Sequence, residues 1–80
     1  MTVIDAELDT CGLACPLPIL KTKKALASLR GGQTLCVVAT DPESVRDFAV
    51  FSQQVGHALL ETRAEAGRFW FVLRKREDCV

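Results

Sequence analysis

Two prolines separated by one residue, Pro16 and Pro18, follow directly behind a cysteine, Cys15, and they restrict what this 80-residue chain can do at that point. Proline has no amide hydrogen and holds φ near −65°, so neither residue suits the middle of a strand or of a helix. Both suit the first turn of a helix, where the amide has no intrahelical partner in any case. A helix therefore opens at about residue 16, with Cys15 at or beside its N-cap and Gly12 permitting the turn before it. The first-turn amides and the positive end of the helix dipole then point toward the sulfur. Such a setting favours thiolate over thiol, and thiolate is the nucleophile. The two prolines also stiffen the joint, so the sulfur is held in one place.

The rest of the chain alternates between two hydrophobic periods. Residues 2–8 alternate with strand period, Ile4, Ala6 and Leu8 on one side and Val3, Asp5 and Glu7 on the other. A helix over 16–30 has Ile19, Thr22, Leu26 and Leu29 on one stripe, widened by Ala25, with Gly31-Gly32 closing it. Residues 34–40 form a continuous apolar run, which predicts a central strand with Cys36 inside it as a small hydrophobe. Asp41 and Pro42 then read as the N-cap and first position of a second helix, with Val45, Phe48, Ala49, Phe51, Ser52 and Val55 on its apolar side and Gly56 at its C-terminus. Two closing strands follow, over 59–64 and 68–75, joined by a turn at 65–67. Phe69, Phe71 and Leu73 share one face of the last strand; Trp70 and Val72 share the other.

The predicted order is β-α-β-α-β-β in a single domain spanning 1–80. Strands separated by helices favour parallel pairing with right-handed crossovers, and the closing pair reads as a hairpin. Two helices cover only one face of four strands, so the expected fold is an α/β (α+β) two-layer sandwich, a four-stranded mixed sheet with both helices on one face. Trp70 then points to the uncovered face, either shielded by its neighbours or part of a contact patch for a partner.

Composition excludes several function classes. Ten basic residues balance ten acidic ones, against the basic excess that nucleic-acid binders carry, so no direct nucleic-acid binding is expected. No apolar run is long enough to span a membrane. The first residues lack a basic stretch followed by an apolar one, so a signal peptide is not expected and a cytoplasmic location is the default. There the four cysteines, Cys11, Cys15, Cys36 and Cys79, are not expected to form structural disulfides. Cys11 and Cys15 lie four apart, but Cys36 and Cys79 form no second close pair and His57 is the sole histidine, so no metal site and no cofactor are expected.

The pattern Asp9-x-x-Gly12-x-x-Cys15-Pro16-x-Pro18 resembles that of the TusA family of small sulfurtransferases, also called SirA-like proteins. The likeness extends through the helix 21–29, the Gly31-Gly32-Gln-Thr-Leu turn and Asp41-Pro42, and so covers nearly the whole chain. It implies a sheet of strand order 1-2-4-3 and a sulfur carrier. Cys15 would accept sulfane sulfur as a persulfide from a cysteine desulfurase or another persulfide donor. It would then pass the sulfur to an acceptor protein, for tRNA thiolation or another sulfur-transfer pathway. Asp9, Gly12, Pro16 and Pro18 would support that cysteine. The chain departs from the usual family pattern at Ala14, where many relatives carry arginine, and at Cys11.

Other residues carry two readings each. Lys21, Lys23 and Lys24 are a solvated helix face, or a positive field that supports a persulfide anion or docks an acidic partner. Cys11 is a small packing residue, or an auxiliary thiol that resolves the persulfide or forms a protective disulfide with Cys15. Arg74-Lys75-Arg76, followed by Glu77-Asp78, reads as a solvated end. His57 has nothing around it that would make it a base for Cys15. Two other functions stay open: a thiol-dependent redox switch or interaction module without sulfur transfer, and RNA binding, suggested only because a bacterial translation initiation factor has a C-terminal domain of similar topology.

Overall fold

The computed structural model describes residues 4–14 and 17–77. Cys15, Pro16 and Cys79 lie outside the described residues. The elements run β1 (Ala6–Thr10), α1 (Leu17–Ala27), β2 (Thr34–Ala39), α2 (Ser44–Val55), β3 (Ala58–Glu65) and β4 (Arg68–Arg74). They form one mixed sheet of order β1-β2-β4-β3. Only the β1–β2 pair is parallel; β4 runs antiparallel to both β2 and β3.

The sheet puts alternate residues on opposite faces, and one face carries the core. Leu35, Val37 and Ala39 of β2 pack with Phe71 and Leu73 of β4, and Leu26, Phe48 and Phe51 of the helices close over them. Phe48 and Phe71 stack with ring centroids 4.3 Å apart and planes 10° from parallel. Both helices therefore lie on the same face, as expected from the sequence.

The hairpin turn is two residues long. Ala66 (φ 52°) and Gly67 (φ 80°) both take positive φ, the combination of a type I′ turn, whose twist matches that of the flanking strands. At the other end of α2, Gly56 takes φ 81° and its amide donates to the Ser52 carbonyl at 3.0 Å, closing the helix as expected.

Several boundaries and faces differ from expectation. The first strand lies later than 2–8 because the parallel partner sets its extent: the ladder runs from Ala6 opposite Leu35 to Thr10 opposite Ala39. Asp5 seals the ladder's start. Its amide donates to the Thr34 carbonyl at 2.9 Å and its carboxylate accepts the Thr34 amide at 2.8 Å. Helix α1 stops at Ala27 rather than residue 30, where Ser28 turns its hydroxyl back to the Ala25 carbonyl at 2.8 Å.

Asp41 does not cap α2. It sits one turn earlier, accepting the Glu43 amide on its carboxylate at 3.0 Å, while Glu43 occupies the cap position without a side-chain bond. Of the predicted apolar side of α2, Phe48, Phe51 and Ser52 are buried, but Val45 and Ala49 face outward. Cys36 lies within β2 as expected, half-buried on the uncovered face with Val38 and Trp70, where Val72 is buried. Arg63 lies over the Trp70 ring, 4.8 Å from its centroid, and shields it.

The basic run 74–76 is not merely a solvated end. Lys75 Nζ donates to the Leu29 carbonyl at 2.6 Å and Arg76 Nη1 to the Val55 carbonyl at 3.0 Å. One short strand exit thus caps the C-terminal ends of both helical segments, where cations oppose the helix dipole.

Candidate functional site

The β1–α1 junction is built by three ties on residues that precede the cysteine–proline pair. Asp9 occupies an exposed position of β1, one residue before its end, and its Oδ1 accepts the Cys11 amide at 2.9 Å, a local turn that aspartate side chains readily form. The Leu13 amide donates to the Thr10 carbonyl at 3.2 Å, closing a four-residue turn. Gly12 stands third in that turn with φ 82°, a conformation that side chains disfavour. The Gly12 amide donates in turn to Thr40 Oγ1 at 2.8 Å. Thr40 follows β2, so the parallel neighbour holds the loop from the side. Thr10, fully buried, anchors the last residue of β1 by donating its hydroxyl to the Val38 carbonyl at 2.7 Å.

The helix side of the junction is held as well. The Leu17 amide donates to the Ala14 carbonyl at 2.9 Å. Pro18 is buried, and its carbonyl accepts the Thr22 hydroxyl at 2.7 Å. Lys21 is exposed on α1. Of the sequence-derived site residues, the structure gathers Asp9, Cys11 and Gly12 in one turn; Cys15 and Pro16 lie outside the described residues.

Electrostatics separate the residues of this turn. The Asp9 carboxyl is held below its ordinary range, chiefly by the bond from the Cys11 amide, then by the Cys11 thiol, with a smaller contribution from the charge of Arg68. The Cys11 thiol is pushed the other way, above its ordinary range, first because it donates to Asp9, then by burial and by the Asp9 charge. Cys11 is therefore kept as a thiol and is a poor nucleophile at neutral pH. Cys36 is pushed up too, by burial first and then by Glu7 and Glu61.

His57 lies at the opposite end of the sheet from this junction. It precedes Ala58, which pairs with Arg74, and Arg74 pairs with Thr34 at the start of β2. Its Nδ1 accepts the Arg76 amide at 3.1 Å. Among the described residues, no cluster of histidine, cysteine and carboxylate groups has the arrangement of a metal site, and no helix is long and apolar enough to cross a membrane.

Sequence reading did not single out Thr10, Thr40 or Arg68. Their contribution depends on β2 and β4 lying beside the loop, which no local pattern announces. It also passed over Leu17 and Leu20, which are 44% and 51% exposed on the first turn of α1. That signal was available, because both fall off the apolar stripe of the helix.

A two-layer sandwich with a strand-to-helix turn leading into a Cys-Pro-x-Pro segment defines a class of small thiol-bearing αβ domains, and the comparisons narrow it. The family model described as Sulfurtransferase TusA matches residues 6–75. The chain belongs to the TusA family. It is 51% identical over 75 residues to the sulfur carrier protein TusA of Allochromatium vinosum, covering 94% of this chain and 99% of that one. It is 41% identical over 75 residues to the sulfur carrier protein TusA of Pseudomonas syringae pv. syringae, covering 94% and 89%. In fold it is similar to the crystal structure of a SirA-like protein from Desulfitobacterium hafniense, with a TM-score of 0.78 over 90% of this chain and 99% of that one at 24% identity.

Proposed function

We propose that this protein is a sulfur carrier that holds sulfane sulfur on Cys15 as a persulfide and delivers it to an acceptor protein. The observation that carries the reading is the motif Asp9-x-x-Gly12-x-x-Cys15-Pro16-x-Pro18, standing at the β1–α1 junction of a chain that belongs to the TusA family. Membership and the names of the relatives support the carrier role. The tied loop on the strand side supports a fixed presentation of the motif.

The chemistry asks little of so small a chain. The Cys15 thiolate attacks the outer sulfur of a donor persulfide, such as that of a cysteine desulfurase. The S–S bond of the donor breaks, its cysteine leaves as thiolate, and Cys15 is left with the S–SH group. Transfer to the acceptor repeats the exchange, the acceptor thiolate attacking the same outer sulfur. No net oxidation occurs in either step. In this scheme Cys15 is the nucleophile, Asp9 and Gly12 shape the loop, Pro16 and Pro18 stiffen the joint, and Lys21 contributes positive charge on the exposed side of α1. Cys11, hydrogen-bonded to Asp9, is kept as a thiol and does not compete for sulfur. The acceptor pathway is tRNA thiolation or another sulfur-transfer route in the cytoplasm.

Sulfur loading tests the proposal. Incubation with a cysteine desulfurase and L-cysteine should add one sulfur, about 32 Da by intact mass. The gain should be lost in Cys15→Ser and retained in Cys11→Ser. A wild-type protein that stays unmodified, while its thiol state governs binding to another protein, would favour the redox-switch reading instead.

A further inference from the structure

A cavity lies at the other end of the molecule from the β1–α1 junction, between the C-terminal ends of the two helices and the exit of β4. Its volume is about 700 Å³, within the range of about 300–1,000 Å³ typical of small-molecule sites. Leu26 and Phe51 form a buried apolar floor, and half-buried Leu29 and Val55 form its walls. Lys23, Arg30, Lys75 and Arg76 also line it, and among the described residues no acidic one does. In a chain with a formal net charge of +0, this is a local excess of four positive charges.

Two of those cations are already fixed. Lys75 Nζ is held on the Leu29 carbonyl and Arg76 Nη1 on the Val55 carbonyl. Each bond uses one donor, and an ammonium has three and a guanidinium five. The same bonds neutralise the negative ends of the two helices, which would otherwise repel an anion. Lys23 and Arg30 are exposed at the rim. Glu77 packs along Gly31 and Gly32 without lining the cavity. His57 also lines it and reports the local field: its imidazole is held below the ordinary value, by burial first and then by the charges of Arg76 and Lys75.

We infer that this cavity is a binding site for a small amphipathic anion, a carboxylate or phosphate on an apolar body of drug-fragment size. The apolar body lies on Phe51 and Leu26, and the anionic group meets Arg76, Lys75 and Arg30. The site lies at the opposite end of the sheet from the β1–α1 junction. The inference stands independently of the proposed carrier function.

The test is an amide and imidazole NMR titration of the full chain with three probes: 4-phenylbutyrate, the neutral 4-phenyl-1-butanol, and inorganic phosphate. A ligand with about twelve non-hydrogen atoms should saturate near about 1 mM. The expected result is saturable shifts confined to the cavity residues with 4-phenylbutyrate, and binding of the other two at least about fivefold weaker. His57 is the sole histidine, so its signal is unambiguous, and its titration midpoint should move up when the anion binds. Arg30→Gln, at an exposed position, should keep the native spectrum and weaken 4-phenylbutyrate about fivefold. Equal binding of acid and alcohol would reduce the cavity to an apolar dent, and equal binding of phosphate would reduce it to surface cations. A tetraglutamate peptide that binds the same residues more tightly than 4-phenylbutyrate would make it a protein-docking surface. Any of these results overturns the inference, as does the lack of saturable shifts.

Discussion

Adding a single methyl group at Gly12 and at Gly31 should destabilise the protein for different physical reasons. At Gly12 a Cβ would meet no heavy atom within 4 Å, but φ is +82°. The cost is backbone strain alone, about 1–2 kcal/mol for an L-residue in the left-handed region. At Gly31 the obstacle is steric. A Cβ there would stand 2.7 Å from the Glu77 Cα and 3.0 Å from the Arg76 carbonyl oxygen, both backbone atoms that cannot swing aside. The segment 75–77 must move, and this strains first the two bonds of 2.8 Å beside the glycine, Gly32 amide to Lys75 carbonyl and Lys75 amide to Gln33 carbonyl. Overpacking costs about 1–3 kcal/mol, each weakened bond adds about 1 kcal/mol, and the stiffer unfolded chain returns about 0.5 kcal/mol. Gly31→Ala should therefore lose roughly 2.5–4.5 kcal/mol. That is a large share of the roughly 4–12 kcal/mol available to a domain of this length. Urea unfolding measures both variants, and sulfur loading of the folded protein separates them further. Gly12→Ala should load more slowly because its loop is displaced, whereas Gly31→Ala should load normally at temperatures where it is folded. A Gly31→Ala protein within about 0.5 kcal/mol of wild type, or one more stable than Gly12→Ala, would refute the reasoning.

Phe48→Ala should cost about 3–5 kcal/mol, since the ring is fully buried and stacked on Phe71; a loss below about 2 kcal/mol in urea unfolding would show that α2 collapses into the space. Folding lowers the Asp9 pKa, so the folded state binds fewer protons than the unfolded one. The stability this contributes is present above the unfolded value of about 3.9 and is lost as pH falls through the folded value. Asp9→Asn should accordingly flatten the acid limb of the stability–pH curve, and an unchanged limb would remove Asp9 from the account. The same substitution removes the acceptor that keeps Cys11 a thiol, so site-specific alkylation of Cys11 at pH 8 should become faster.

How much of this was legible in the sequence depends on the range of the interaction. The order of elements, both helices, the hairpin and the helix-facing set Phe69, Phe71 and Leu73 follow from hydrophobic period and from punctuation by glycine and proline. Those signals are carried by neighbours in the chain. The boundaries of β1 were not legible, because a parallel strand ends where its partner ends, and Thr34 is 29 residues from Asp5. The face that Cys36 takes within its strand was not legible, because a run of small apolar residues does not reveal which face the helices cover. The capping role of Lys75 and Arg76 has no local signal, because the carbonyls of Leu29 and Val55 that they meet are distant in sequence.

The same division holds at the site. The chain alone determined that a cysteine precedes two prolines where a strand gives way to a helix, because proline's ring and missing amide act on the residues next to it. Only the tertiary structure decided what steadies that turn: Thr40 from the end of β2 on the Gly12 amide, Arg68 from β4 acting on Asp9 and Cys11, and Thr10 tied to Val38. It also decided that Lys75 and Arg76 close the far end of the molecule over a cationic cavity. Those partners meet because the sheet order β1-β2-β4-β3 brings remote segments side by side, and hydrogen bonds and charges act through space, not along the chain.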